Sequence, residues 1–167
     1  MDKNEDNKKL LMVFCLFMVC ASGTEAAMSS TLPQNEFSLG GIRPEMTVNE
    51  VLDIYGSPTS IDNKGDLVYD YGGTVKIFFW KNFYKDSNEY EVQSVTTTAN
   101  NGFATPAGLR VGMSYSEMVA LYKKHPVAAG PKIGKEQGYY YYGKDGIRLL
   151  VTVADDKIIS IKCYVSV

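Results

Sequence analysis

The stretch YDYGGTVKIFF, residues 69–79, sets the fold, because two runs of aromatic and β-branched residues flank a Gly-Gly pair. Glycine pairs suit tight hairpin turns, and such flanking runs favour strands. A counterpart, YYYGKDGIRLLV, stands at 140–151. Each hairpin is followed by another strand-like run, VQSVTTT at 92–98 and IISIKCY at 158–164. The pattern predicts three antiparallel strands in each half of the chain.

A short amphipathic helix is predicted ahead of each set of strands. TVNEVLDIY (47–55) and SYSEMVALY (114–122) each begin with a hydroxyl residue three positions before a glutamate. This is the spacing of a capping box, in which Thr47 or Ser114 would accept a hydrogen bond from the backbone of the third helical residue. Apolar residues then recur at i, i+3, i+4 and i+7, which predicts one buried stripe on each helix.

The two halves also match outside these elements. GIRPEM at 41–46 aligns with GLRVGM at 108–113, and five of the fifteen positions that begin at these two glycines are identical. Agreement at the cap, the helix, the hairpin and the last strand indicates an internal repeat. The predicted fold class is α+β, with two tandem helix-plus-three-strand units, 37–99 and 100–167. They form one continuous antiparallel sheet with both helices on one face.

The N-terminus has the three parts of a secretory signal peptide. A lysine pair precedes the apolar run LLMVFCLFMVC at 10–20, and small residues follow it. Eleven apolar residues are too few for a membrane-spanning helix, which needs about 20. We therefore predict a signal peptide over 1–27 and a linker over 28–36. Cys20 closes the apolar run, so a lipoprotein signal remains the alternative.

The composition argues against several classes of binding partner and against a disulfide framework. Without residues 1–27 the chain keeps 14 basic and 15 acidic residues, a net charge of −1. No charge excess points to nucleic acid or to an anionic membrane, and membrane association is expected only if Cys20 is lipidated. Cys163 is the single cysteine outside the leader. One thiol gives no disulfide framework, so stability must come from packing.

No catalytic, metal or cofactor site is predicted. His125, the only histidine, falls at a predicted helix C-terminus, where a capping role is the simpler interpretation. Cys163 lies in the last predicted strand, where alternation places it in the core beside Ile159 and Ile161. DNKGD at 62–66 lacks the full ligand set of a calcium loop. The chain is therefore not expected to be an enzyme.

The aromatic residues give a candidate binding surface. Alternation places Val75, Ile77 and Phe79, with Ile147, Leu149 and Val151, on the helix-covered face. The opposite face and the long connection WKNFYKDSNEYE (80–91) are left with large side chains. The predicted partner-binding residues are Phe78, Trp80, Phe83, Tyr84, Tyr140, Tyr142 and Leu150. Tyrosine and tryptophan supply large contact area with a polar tip. The competing interpretation is that these rings pack against each other or cap the end of the sheet.

The motif G-I/L-R-x-x-M-T/S-x-x-E-V/M…Y-G-x-P, followed by a three-stranded meander, resembles the outer-membrane assembly lipoprotein family known as small protein A. In tandem form it also resembles the β-lactamase inhibitory protein fold. The resemblance implies an exported, non-enzymatic module of the bacterial cell envelope, periplasmic or extracellular, that binds another protein. Two alternatives stay open. One is an inhibitor of a β-lactamase or another hydrolase, and the other is an outer-membrane lipoprotein-like scaffold.

Overall fold

An eight-stranded antiparallel sheet dominates the computed structural model, which describes residues 31–81 and 89–166. The strands are β1 (Ser60–Asp62), β2 (Leu67–Tyr71), β3 (Val75–Lys81), β4 (Tyr90–Thr97), β5 (Ala128–Ile133), β6 (Glu136–Tyr142), β7 (Ile147–Ala154) and β8 (Lys157–Val165). Two short helices, α1 (Val48–Tyr55) and α2 (Tyr115–Leu121), each precede four of these strands. The spatial order is β1-β2-β3-β4-β8-β7-β6-β5.

The predicted α+β class is wrong, because the protein is mainly β and is not built from two helix-plus-three-strand units. The helices contain only eight and seven residues. The two extra strands, β1 and β5, lie where the sequence predicts polar loops. All of β1 is exposed, and β5 contains Gly130 and Pro131. Such strands form at sheet edges. An edge strand pairs with a neighbour on one side only, so a proline there can face the unpaired side, where no backbone N–H is needed.

The sheet continues through its middle because β4 pairs with β8. Ser94 lies opposite Tyr164, and Thr97 lies opposite Ile161. This pairing joins the last strand of each half, so each half covers one edge of the other. The free edges are then the short strand β1 and the proline-containing strand β5.

Both predicted capping boxes are confirmed. Thr47 Oγ1 accepts a hydrogen bond from the Glu50 amide at 3.3 Å, and Glu50 Oε2 accepts one from the Thr47 amide at 2.7 Å. Ser114 and Glu117 repeat this exchange at 3.2 Å and 2.7 Å. The backbone hydrogen bond from Thr47 lowers the pKa of the Glu50 carboxyl, and the one from Ser114 does the same for Glu117. These bonds satisfy amides that the first helical turn leaves unpaired.

Thr47→Ala and Ser114→Ala should each lower the free energy of unfolding by about 0.5–2 kcal/mol, because each removes the cap acceptor. Urea unfolding followed by circular dichroism measures the loss, with Thr47→Ser as the control that keeps the hydroxyl. The lowered pKa of each glutamate adds to the free energy of unfolding. This addition is fully present above the ordinary carboxyl pKa and is lost as the pH falls through the lowered pKa. Unchanged unfolding midpoints in both alanine variants would contradict the capping role.

The core lies between one face of the sheet and the two helices. Val51 of α1 and Met118 of α2 belong to the same buried cluster as the central strands. The six residues predicted for this face, Val75, Ile77, Phe79, Ile147, Leu149 and Val151, are all buried, which confirms that prediction. The helices therefore cover one face of the sheet only.

The segment before α1 binds mainly to the second half of the chain. The Leu32 amide donates to the Tyr142 carbonyl at 2.9 Å, and Leu32 is buried although it falls within the predicted linker. Phe37 is buried in the core cluster. Glu36 Oε2 accepts from the Tyr122 hydroxyl at 3.1 Å and from the Ala107 amide at 3.1 Å. This segment thus ties α2 and β6 to the chain's own N-terminal half.

Candidate protein-binding site on the open sheet face

The face of the sheet opposite the helices is called the open face here. Alternation along β3 sends Val75, Ile77 and Phe79 to the core and places Phe78 and Trp80 on the other side, half-buried. The same alternation operates along β6 and β7. Neither helix contributes to this side of the sheet. Among the described residues, Phe78, Trp80, Tyr140 and Leu150 are half-buried there and Tyr142 is exposed.

The first half of the open face is a groove of about 560 Å³ with a mixed lining. Phe78 lies at its floor, opposite Val68 on β2 and Ser94 on β4. Lys76 Nζ is 4.0 Å from Asp70 Oδ2, directly across the β2–β3 pair. An exposed pair at this distance contributes little to stability. The groove therefore combines the Phe78 ring with the carboxylates of Asp62 and Asp70 and with two lysines, of which Lys162 belongs to β8.

The second half of the open face carries two adjacent rows of side chains across β6, β7 and β8. We call these six residues the tyrosine–cation patch. The register gives the rows as Tyr142–Arg148–Tyr164 and Tyr140–Leu150–Lys162. The Arg148 guanidinium lies 5.6 Å from the centre of the Tyr142 ring, and Lys162 Nζ lies 5.3 Å from the centre of the Tyr164 ring. At these distances each cation is attracted to the face of its ring.

The structure places five of the seven predicted binding residues on the open face. Tyr140, Tyr142 and Leu150 are neighbours in the tyrosine–cation patch, and Tyr142 is 41% exposed. Phe78 is three strands from Leu150 in the sheet order. That separation is about 14 Å, so the predicted residues form two groups, one on each side of the β4–β8 pair.

The predicted loop over 80–91 is shorter than the sequence suggests. Trp80 and Lys81 still pair with Glu91 and Tyr90, so β3 and β4 continue into it. Lys81 Nζ lies 5.3 Å from the centre of the Tyr90 ring. Phe83 and Tyr84 fall outside the described residues, as does the predicted signal peptide with Cys20. The place of Phe83 and Tyr84 in the binding surface therefore stays a prediction.

Three residues of the patch were missed from the sequence: Arg148, Lys162 and Tyr164. Arg148 stands two positions before Leu150, so alternation alone places it on the open face. Lys162 and Tyr164 follow from the same rule once Cys163 is assigned to the core. The ring contacts of the two cations depend on the register of three strands, which the sequence does not specify.

Cys163 and His125 do not form a nucleophile–base pair. Cys163 is fully buried on the helix-covered side, as predicted, and burial raises the pKa of its thiol. His125 follows α2, where its amide donates to the Tyr122 carbonyl at 2.8 Å. Among residues 31–81 and 89–166, no three His, Cys, Asp or Glu side chains come close enough to hold a metal ion.

Alkaline pH should destabilise the protein through its buried tyrosines. Burial raises the pKa of Tyr141 to about 12, and burial together with the Glu36 carboxylate raises that of Tyr122. In the unfolded chain these hydroxyls lose their protons near pH 10. The folded state then holds more protons than the unfolded state, so the free energy of unfolding falls as the pH rises above about 10.

Urea unfolding at a series of alkaline pH values measures this fall. Tyr141→Phe has no hydroxyl to titrate and should show a smaller loss between about pH 10 and 12 than the wild type. Tyr142→Phe, which removes an exposed hydroxyl, is the matched control and should behave like the wild type. A stability that stays constant through this range would contradict the burial of these hydroxyls.

Comparisons with known proteins give little beyond this geometry. No family model matches the sequence, and no curated protein matches it either. One solved structure to which the chain is similar is an extracellular protein containing an SCP domain from Bacillus anthracis strain Ames, with a TM-score of 0.46 and 12% identity. The match covers 73% of this chain and 44% of that chain, so this chain spans less than half of its length. In the described residues, no helix is both long enough and apolar enough to cross a membrane.

Proposed function

We propose that the protein is an exported, non-enzymatic module of the bacterial cell envelope that binds another protein through its open sheet face. The N-terminal sequence, with its lysine pair, apolar run and small-residue end, supports export. The single observation that carries the binding function is the open face itself. It holds Phe78, Trp80, Tyr140, Tyr142 and Leu150 on one side of a sheet whose central strands pack on the other side into the core.

The chemistry of this face suits a protein partner. Tyrosine, tryptophan and arginine are the residue types that contribute most to protein–protein binding, because they combine contact area with directed polar groups. Strand pairing on both sides of Phe78 and of Leu150 fixes their backbones before any partner arrives. A surface that is already ordered loses little conformational entropy on binding, so more of the contact energy appears as affinity.

Capture of a partner from envelope extract tests this proposal. The mature protein is immobilised and compared with a Phe78→Ala/Tyr142→Ala variant, which truncates one ring on each half of the open face. Ile54→Ala/Val119→Ala is the matched control, because these apolar side chains are exposed on the helices, on the opposite side of the sheet. The wild type and the control should retain the same protein, and the open-face variant should lose it while unfolding at the same urea concentration.

Two results would contradict the proposal. One is a folded open-face variant that captures the same protein as the wild type. The other is loss of that protein from the Ile54→Ala/Val119→Ala control, which would move the binding surface to the helices. A Phe83→Ala/Tyr84→Ala variant in the same assay tests whether the predicted loop residues belong to the surface.

A further inference from the structure

Two cations on the open face form no ion pair with a carboxylate of residues 31–81 or 89–166. The ion pairs among the described residues are Lys76–Asp70 and Lys135–Asp155. Neither Arg148 nor Lys162 lies within 4.0 Å of a carboxylate in this part of the chain, although both are half-buried. Their contacts are instead with the faces of Tyr142 and Tyr164. Each cation is thus partly removed from water without an ion pair to a described carboxylate.

The two cations are also close to each other. Arg148 lies opposite Tyr164, and Lys162 is two residues from Tyr164 on the same strand and the same face. Diagonal neighbours of this kind are about 7–8 Å apart, and like charges at such positions repel. Partial burial weakens the screening of that repulsion by water. The ring contacts offset part of this repulsion, and a ligand with negative charge would relieve it further.

We infer that the tyrosine–cation patch binds an acidic segment of the protein partner, with carboxylates placed against Arg148 and Lys162. This rests on the proposed function and specifies the chemistry of the partner. Tyr140 and Leu150 lie in the row of Lys162, next to the row of Arg148, so an apolar side chain beside the carboxylates would pack there. Arginine pairs with a carboxylate through two parallel hydrogen bonds, which gives direction as well as affinity.

The size and surroundings of the charge favour a polypeptide over a membrane or a nucleic acid. Recognition of anionic lipid surfaces uses clusters of about 4–8 basic residues, and the patch has two. Asp62 and Asp70 line the same groove as Lys162, and the whole chain has a net charge of −2. A long polyanion would meet repulsion from these groups.

Selection of random dodecapeptides on the immobilised protein tests this inference without knowledge of the natural partner. The selected peptides should be enriched in Asp and Glu next to aromatic or aliphatic residues. Their affinity should fall by about tenfold or more in Arg148→Gln/Lys162→Gln, because two charge-assisted contacts are lost. Lys132→Gln/Lys135→Gln is the matched control. It removes the same charge from the exposed β5–β6 hairpin and should leave the affinity within about twofold.

Several outcomes would overturn the inference. The selected peptides could lack an acidic excess, the Arg148→Gln/Lys162→Gln variant could bind them as tightly as the wild type, or the Lys132→Gln/Lys135→Gln control could lose as much affinity. Cation-dependent binding to phosphatidylglycerol vesicles but to no peptide would also overturn it in favour of lipid. An envelope protein lost from Phe78→Ala/Tyr142→Ala but retained by Arg148→Gln/Lys162→Gln would leave the proposed function intact and refute the acidic partner alone.

Discussion

Tyr122→Ala should lower the free energy of unfolding by about 3–5 kcal/mol, the cost typical of a large aromatic truncation in a core. Tyr122 is only 3% exposed, and its ring centre lies 5.0 Å from that of Tyr141. Its hydroxyl lies 2.7 Å from Thr105 Oγ1 and donates to Glu36 at 3.1 Å. The substitution therefore removes a packed ring and one hydrogen bond each from Thr105 and Glu36, which keep their bonds to the Leu109 and Ala107 amides.

Two control variants separate these contributions in urea unfolding. Tyr122→Phe keeps the ring and should cost about 0.5–1.5 kcal/mol, the net contribution of a typical intramolecular hydrogen bond. Tyr142→Ala truncates a ring of the same type on the open face, where 41% of the side chain is already exposed, and should cost much less than Tyr122→Ala. If Tyr122→Ala and Tyr142→Ala unfolded alike, the packing of α2 against β6 would be wrong.

Phe37→Ala should have a comparable effect, about 3–5 kcal/mol, because Phe37 is 1% exposed within the core cluster. Its ring occupies the space that a side chain at Gly143 would need. A Cβ atom there would lie 2.6 Å from Phe37 Cε2 and 2.7 Å from Cζ. Gly143→Ala alone should therefore destabilise the protein by about 1–3 kcal/mol through overpacking.

The double variant Phe37→Ala/Gly143→Ala tests this contact directly. With the ring gone, the added methyl group meets no clash, so the two losses should not add. The double variant should be more stable than the sum of the single effects predicts, by about 1 kcal/mol or more. Strict additivity would mean that the segment before α1 does not pack against the β6–β7 turn.

The helices and six strands could be predicted from the sequence because their signals are local. Thr47 with Glu50 marks a helix start, and the Gly-Gly pair after Tyr71 marks a hairpin. The edge strands β1 and β5 could not be predicted in this way. Ser60–Asp62 is exposed throughout, and Pro131 argues against a strand unless the edge position is already known. Their formation depends on the neighbouring strand, which offers unpaired backbone groups.

Alternation also fails wherever a strand contains a bulge. The sequence predicts Ile159 in the core beside Ile161, whereas the register shifts between Thr152 and Val153 on the partner strand. Ile158 is consequently buried and Ile159 is only half-buried. For the same reason, the contacts of Arg148 and Lys162 with tyrosine rings could not be predicted, because they depend on the register of the strands. Residue types could be assigned to the open face, but their neighbours across strands could not.

Photo-crosslinking from single positions tests most directly the central claim that the open face contacts a protein. Benzoylphenylalanine replaces Phe78 or Tyr142 on the open face, and in separate variants it replaces Ile54 or Val119 on the helices. Each protein is illuminated in envelope extract, and the products are identified by mass spectrometry. We expect Phe78 and Tyr142 to crosslink to the same protein and the two helix positions to give no such product. Crosslinks to a protein from Ile54 or Val119 alone would contradict the account.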